Sequence, residues 1–176
     1  MTPSGGWIPA VIAGNTGIGV SQRMQSFVLD PTENPFNVVE PGRRPRATLT
    51  PSLAFKDGNP FLSFAVQGGD LQDQDLLQFF LNFIEFGMTV QEAAEAPNFH
   101  SYQLHASFGN HGKLPGRLTL NDAVPSWVAD ELRTMGYRIN RQRLTSGPIN
   151  AIHFDAQHGT FWGASSNYGE DHGIVW

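Results

Sequence analysis

Short apolar segments alternate with turn-forming residues along the chain. Thr48 to Phe55 and Pro60 to Val66 are apolar and strand-like. The Lys56-Asp57-Gly58-Asn59 sequence between them has the Asp-Gly chemistry of a hairpin loop. This pattern predicts a β-hairpin.

After Gly68-Gly69 the apolar spacing becomes that of a helix. Large apolar residues recur one, three and four positions apart, as one buried helix face requires. They are Leu76, Leu77, Phe80, Phe83 and Ile84. Asp70 or Asp73 is predicted to cap the start of this helix, and Gly87 to end it.

Two further helices are predicted by their boundary signals. Thr89 and Glu92 form a capping box, and Pro97 stops the short helix that follows. Pro125 lies near the first turn of the third helix and Gly136 at its end. The apolar residues of that helix are Trp127, Val128, Leu132 and Met135.

Three more strands are predicted beyond the third helix, at residues Tyr137 to Arg141, Ile149 to Phe154 and Thr160 to Ala164. Hairpins of this kind favour antiparallel pairing, with helices on one face of the sheet. The sequence therefore predicts an α+β fold in a single domain that covers residues 1–176.

Composition supports a globular protein and removes several function classes. Forty per cent of the 176 residues are apolar, and the net charge of −5 comes without any cluster of Lys or Arg that would follow a nucleic acid backbone. No apolar run approaches the roughly 20 residues that cross a bilayer. The six histidines do not have metal-ligand spacing and there is no cysteine, so we expect neither a metal nor a cofactor.

Several short sequence motifs, in the order in which they occur along the chain, resemble those of the small subunit of γ-glutamyltransferases. They are Gln22-Arg23-Met24-Gln25-Ser26-Phe27, Pro41-Gly42-Arg43-Arg44-Pro45, Thr48-Leu49-Thr50-Pro51, Lys56-Asp57-Gly58, Gln67-Gly68-Gly69-Asp70, Phe86-Gly87-Met88, Ala96-Pro97-Asn98-Phe99 and Trp162-Gly163-Ala164-Ser165. The resemblance spans nearly the whole chain. It implies part of the four-layer αββα sandwich of N-terminal-nucleophile hydrolases, built from a large and a small subunit of one precursor.

The resemblance also implies a reaction. In the family an N-terminal threonine attacks a γ-glutamyl amide, its own α-amine acts as general base, and the acyl-enzyme passes the glutamyl group to water or to an amine. By the resemblance, this chain begins after that nucleophile. Thr2 then falls on a threonine that supports the nucleophile, while a turn residue at the chain end is the alternative.

Gly68 and Gly69 are the candidate oxyanion hole. Two successive glycines between a strand and a helix can present backbone N–H groups with no side chain in the way, and the positive helix end adds to the effect. A tight connecting turn is the alternative interpretation.

Three residues are candidates for substrate binding. Thr48 falls where the family has a hydroxyl that holds the substrate α-carboxylate, although Ala47 replaces a neighbouring serine. Arg23 and Ser26 replace polar or acidic residues that hold the α-amine, and a guanidinium would repel an ammonium group and prefer an acid. We therefore expect an acyl group other than that of free glutathione. As alternatives, Arg23 is a solvated surface charge and Thr48 an ordinary strand residue.

The predicted partners are a γ-glutamyl compound or another acyl amide, and the large subunit or the remainder of the precursor. We also expect the chain alone to be inactive and to self-associate through open sheet edges. A non-catalytic relative that serves as a binding module is the second hypothesis.

Overall fold

The computed structural model describes residues 11–143 and 147–168. The chain divides into two compact units. The first unit contains residues up to Thr48 together with His105–Gly112, and the second contains Leu49–Leu104 and the residues from Lys113 onward. The prediction of a single domain stays a prediction.

A four-stranded antiparallel sheet forms the larger part of the second unit. Its strands are β1 (Ser52–Lys56), β2 (Asn59–Val66), β6 (Ile149–Asp155) and β7 (Thr160–Ser165), in the order β1-β2-β6-β7. The predicted hairpin between β1 and β2 is confirmed, with Lys56 opposite Asn59. Asp57 and Gly58 both have positive φ, 51° and 80°, as a two-residue hairpin turn requires.

Two helices cover one face of this sheet. Helix α1 comprises Gln72–Ile84 and helix α2 comprises Val90–Glu95. The shared core is made of buried residues from both helices and three strands: Leu62, Phe79, Val90, Ala93, Ala94, Ile149, Ala151 and Ala164. Burying this apolar surface is the main stabilisation of the layer.

The start and the buried face of α1 differ from the prediction. Leu71 precedes the helix in an already helical conformation and no side chain caps it, so the prediction of a cap at Asp70 or Asp73 is wrong. A 3-10 turn at Gly69–Leu71 leads into the helix instead, which leaves no extended cap position.

Two of the predicted core residues of α1 face solvent. Leu77 is 59% exposed and Ile84 is 40% exposed, whereas the buried face runs through Leu76 and Phe79. One position of offset turns a helical side chain by about 100°, which moves Leu77 off the face that Leu76 occupies.

The capping box of α2 is confirmed. The Thr89 hydroxyl accepts from the Glu92 N–H, and the Glu92 carboxylate accepts from the Thr89 N–H at 2.8 Å. The second bond lowers the pKa of Glu92, since it stabilises the charged form.

A smaller three-stranded sheet completes the second unit. It contains β3 (Phe99–Ser101), β4 (Arg117–Asn121) and β5 (Arg138–Gln142), in the order β3-β4-β5. Helix α3 (Ser126–Thr134) connects β4 to the parallel strand β5. Leu118, Leu120 and Ala129 form the core beneath it.

The first unit consists mainly of loops. Within its described residues, two isolated bridges join Ile12 to Gly19 and Val28 to Val38. Arg43 pairs with Glu40 at 2.7 Å, and this ion pair braces the Pro41-Gly42-Arg43-Arg44-Pro45 loop. No helix in residues 11–143 and 147–168 combines the length and apolarity needed to span a membrane.

Candidate active site

Gly68 and Gly69 lie in the connection between β2 and α1, as predicted. The Leu71 N–H donates to Gly68 O at 3.2 Å, which closes a short 3-10 turn. Gly69 has a φ of 59°, in the left-handed region that glycine favours. The thirteen-residue helix α1 begins directly after this turn, so its positive end lies beside the two glycines. The role of the glycines as oxyanion donors stays a prediction.

Gly147 holds the segment before the glycines, and no motif in the sequence indicated this contact. A Cβ on Gly147 would overlap the carbonyl oxygen of Gln67. Only glycine allows the two backbones to approach so closely. The contact limits the movement of the backbone at the entrance to the Gly68-Gly69 turn.

A buried polar cluster lies behind the same turn. Asp75 Oδ1 accepts from Asn98 Nδ2 at 2.8 Å and lies 2.7 Å from His100 Nε2. The carboxylate belongs to the first turn of α1, and His100 lies on β3. All three residues are buried. The cluster therefore joins the start of α1 to the smaller sheet.

The second oxygen of Asp75 has no partner. Among the described residues, Asp75 Oδ2 is the one buried side-chain oxygen or nitrogen without a hydrogen bond. It lies 3.8 Å from the position that a Cβ on Gly68 would take. The sequence carried a signal for this cluster, because Asp75 lies four positions before Phe79 on the buried face of α1.

Arg23 lies in the first unit and is buried, with 7% of its surface exposed. Its Nη1 donates to Thr48 Oγ1 at 2.9 Å, and its guanidinium carbon lies 5.5 Å from the centre of the Phe108 ring. The interpretation of Arg23 as a solvated surface charge is therefore wrong. Hydrogen bonding and the aromatic face together orient the guanidinium.

Ser26 supports the turn that carries Arg23. Its hydroxyl lies 2.7 Å from Arg23 O and 2.8 Å from Arg46 O, and Asn37 Nδ2 donates to Ser26 O. Arg23, Ser26 and Thr48 are thus brought together within the first unit, whereas Gly68 and Gly69 belong to the second. Substrate binding by the first three residues stays a prediction.

Thr2, and the Asp171-His172 pair that superficially suggests a triad, lie outside the described residues. Within the described part of the chain, no three His, Asp or Glu side chains form a group that could hold a metal ion.

A second aspartate–histidine pair lies at the loop between β6 and β7. Asp155 Oδ2 is 2.7 Å from His158 Nδ1 and accepts from Trp162 Nε1 at 3.3 Å. The hydrogen bond from the His158 ring is the largest of the effects that lower the pKa of Asp155. The pair is local, three residues apart, and it stabilises the turn that joins the two strands.

The comparisons with known proteins agree on the family. The family model described as gamma-glutamyltranspeptidase matches residues 9–176. The glutathione hydrolase proenzyme of Bacillus subtilis (strain 168) is 29% identical over 131 residues, which are 74% of this chain and 20% of the relative. The Acylase ACY 1 proenzyme of Pseudomonas sp. (strain SE83) is 29% identical over 150 residues, 85% of this chain and 24% of the relative.

A solved structure extends the agreement to the fold. A gamma-glutamyltranspeptidase from Pseudomonas nitroreducens, complexed with L-DON, matches with a TM-score of 0.74 and 25% identity over 96% of this chain and 88% of that chain. The predicted α+β class, part of the sandwich of the N-terminal-nucleophile hydrolases, is confirmed. The chain spans about a fifth of the length of the curated relatives that it matches first. The chain belongs to the γ-glutamyltranspeptidase family.

Proposed function

We propose that the protein takes part in γ-glutamyl or related acyl amide transfer and hydrolysis, with the Gly68-Gly69 turn as the oxyanion donor. The observation that carries this proposal is the turn itself, which lies between a strand and the positive end of α1. A developing oxyanion is best stabilised by donors that are fixed before the reaction. The close contact of Gly147 with Gln67 supports such a fixed turn.

The reaction requires a nucleophile, and we assign it to a threonine other than those of the 176-residue chain. Its hydroxyl attacks the amide carbonyl, and its α-amine takes the hydroxyl proton and returns it to the departing amine. The resulting ester then reacts with water or with an acceptor amine. Support comes from the relatives, which are proenzymes and of which this chain matches about a fifth.

Arg23 is assigned to recognition of the acyl group. A guanidinium held against Thr48 and Phe108 attracts a carboxylate and repels an ammonium group. A glutaryl amide has the carbon chain of a γ-glutamyl amide but no α-amine. The glutaryl compound is therefore the expected better substrate. One relative is named an acylase proenzyme and not a glutathione hydrolase, which supports testing more than one acyl group.

The first experiment measures p-nitroaniline release from γ-glutamyl and glutaryl p-nitroanilides. The 176-residue chain alone is expected to give no release above the buffer blank. Release that disappears in Thr2→Ala would show that Thr2 itself is the nucleophile and would contradict our assignment.

The second experiment uses a polypeptide that joins this chain to the sequence encoded directly upstream. We expect self-cleavage before a threonine. Release from the glutaryl compound should be at least about tenfold faster than from the γ-glutamyl compound, because the α-ammonium group of the latter has no acceptor beside the Arg23 guanidinium, and an unsatisfied polar group costs about 1–3 kcal/mol, more when it is charged. Arg23→Gln is expected to remove the preference, and Arg133→Gln, an exposed arginine on α3, to keep it. An upstream sequence without such a threonine would favour the hypothesis of a non-catalytic binding module. The replacement of the family's substrate-contacting residues by Ala47, Arg23 and Ser26 also supports that hypothesis.

A further inference from the structure

The unpartnered oxygen of Asp75 needs a physical reason. A buried acceptor without a hydrogen bond costs about 1–3 kcal/mol, and such atoms are rare in native proteins. Asp75 Oδ2 is one, although Oδ1 of the same carboxylate has two partners. Placements that sacrifice local stability are expected where function requires them.

The position of this oxygen relates Asp75 to the turn. Asp75 Oδ2 lies 3.8 Å from the position that a Cβ on Gly68 would take, and the Cγ atom of Gln72 is at the same distance. Asp75 therefore faces Gly68 from the first turn of α1, the helix into which the Gly68-Gly69 turn leads.

The other end of the carboxylate is held by a different sheet. Asn98 directly precedes β3 and His100 lies within it, and both contact the same Oδ1 atom. A carboxylate held at one oxygen by two contacts has little freedom to rotate. The smaller sheet thus fixes Asp75 and with it the start of α1, directly after the Gly68-Gly69 turn.

We propose that Asp75, held by Asn98 and His100, is a positioning residue that keeps the Gly68-Gly69 turn in place. The inference rests on the proposed function of that turn as oxyanion donor. It assigns the effect to the two contacts at Oδ1, which hold the start of α1 against β3. An asparagine, which has the same shape and keeps one acceptor oxygen, therefore preserves the turn, and an alanine does not.

The test is hydrogen exchange of the complete 176-residue chain, followed by mass spectrometry under native conditions. In Asp75→Ala we expect the amides of residues 68–71 to exchange at least about tenfold faster, while those of β7 change little, because local openings are distinct from global unfolding. Asp75→Asn is expected to stay within about threefold of the unaltered chain in residues 68–71. His100→Gln, which keeps a donor near the position of Nε2, is expected to protect the turn, and His100→Ala to release it.

Ile139→Ala is the control for general destabilisation. This residue lies on β5, which pairs with β4 and not with β3, and it packs against the other core, so its truncation weakens the unit away from Asn98 and His100. Faster exchange of residues 68–71 in Ile139→Ala, equal to that in Asp75→Ala, would make the effect a general loss of stability and overturn the proposal. Unchanged exchange in Asp75→Ala, or equal losses in Asp75→Asn and Asp75→Ala, would also overturn it. None of these measurements depends on enzymatic turnover, so the inference can fail while the proposed function stands.

Discussion

The second unit contains two aspartate–histidine pairs with the same nitrogen–oxygen distance. One pair is buried and the other is largely exposed to solvent. Asp75 and His100 approach to 2.7 Å with side chains that are 0% and 3% exposed. Asp155 and His158 also approach to 2.7 Å, with side chains that are 15% and 64% exposed. The interatomic distance alone therefore does not distinguish a pair that joins two elements of the fold from a pair that stabilises a local turn.

Burial and sequence separation decide the difference. Water screens the exposed pair, and ion pairs of that kind contribute little to stability. The buried pair joins residues 25 positions apart, and removing one partner leaves a desolvated polar group behind. The same carboxylate–imidazole contact thus stabilises a local turn at Asp155 and His158, and it joins α1 to β3 at Asp75 and His100.

The largest expected effect is at the buried pair. His100→Ala should lower the free energy of unfolding by about 3–5 kcal/mol, because the Asp75 carboxylate keeps its burial and loses a partner. Urea denaturation followed by circular dichroism measures the change, and His158→Ala is the matched control with a small expected effect. Equal losses of unfolding free energy in His100→Ala and His158→Ala would show that burial does not distinguish the two pairs.

A medium effect is expected at the glycines near the two pairs. Gly147→Ala forces a methyl group into the Gln67 carbonyl and should cost about 1–3 kcal/mol, as overpacking does. Gly159 has a φ of 65° and open space around its Cβ position, so Gly159→Ala should cost about 1–2 kcal/mol through its backbone alone. Thermal unfolding measures which variant loses more stability. A larger loss of stability in Gly159→Ala than in Gly147→Ala would contradict the close contact between Gly147 and Gln67.

The smallest effect concerns pH at the exposed pair. The His158 contact holds the pKa of Asp155 below its usual value in the folded protein. The contribution is therefore fully present above the unfolded-state pKa, and it is lost as the pH falls below about 4 and passes the folded-state value. Asp155→Asn should lower the melting temperature slightly near neutral pH, where the contribution is present, and the difference from the unaltered chain should disappear as the pH falls through that range. A difference in melting temperature as large at pH 3 as at neutral pH would contradict the assignment.

Local signals in the sequence predicted much of the fold. The Asp57-Gly58 turn and the Thr89-Glu92 capping box lie where they were expected, since each depends on residues within a few positions. The strands at residues 149–155 and 160–165 were also recognised, with end residues that differ by one position. The family resemblance, taken from motifs spread over the chain, is confirmed as well.

Signals that depend on distant residues were missed. Strand β4 was not predicted, and neither was its parallel pairing with β5 through α3. Leu77 and Ile84 were assigned to the core because their spacing fits a broad apolar stripe, while the position of the sheet selects Leu76 and Phe79. A helix with apolar residues on several sides needs a partner surface to choose its buried face.

The candidate site shows the same division. The glycine doublet, Arg23, Ser26 and Thr48 were identified from the sequence, but the burial of Arg23 and its contact with Thr48 depend on residues 25 positions apart. No function was predicted for Asp75, Asn98 and His100. The proposed role of these residues depends on the contacts that Asn98 and His100 make with the same oxygen, Asp75 Oδ1.

The sequence by itself determined the turns, the helix cap, the strand-rich α+β character and the family of this protein. Each follows from short-range backbone preferences or from residues read in order along the chain. Only the tertiary structure decided which polar groups lose their water and which find partners. Those outcomes depend on the approach of segments far apart in sequence, and the local pattern around any one residue does not contain that information.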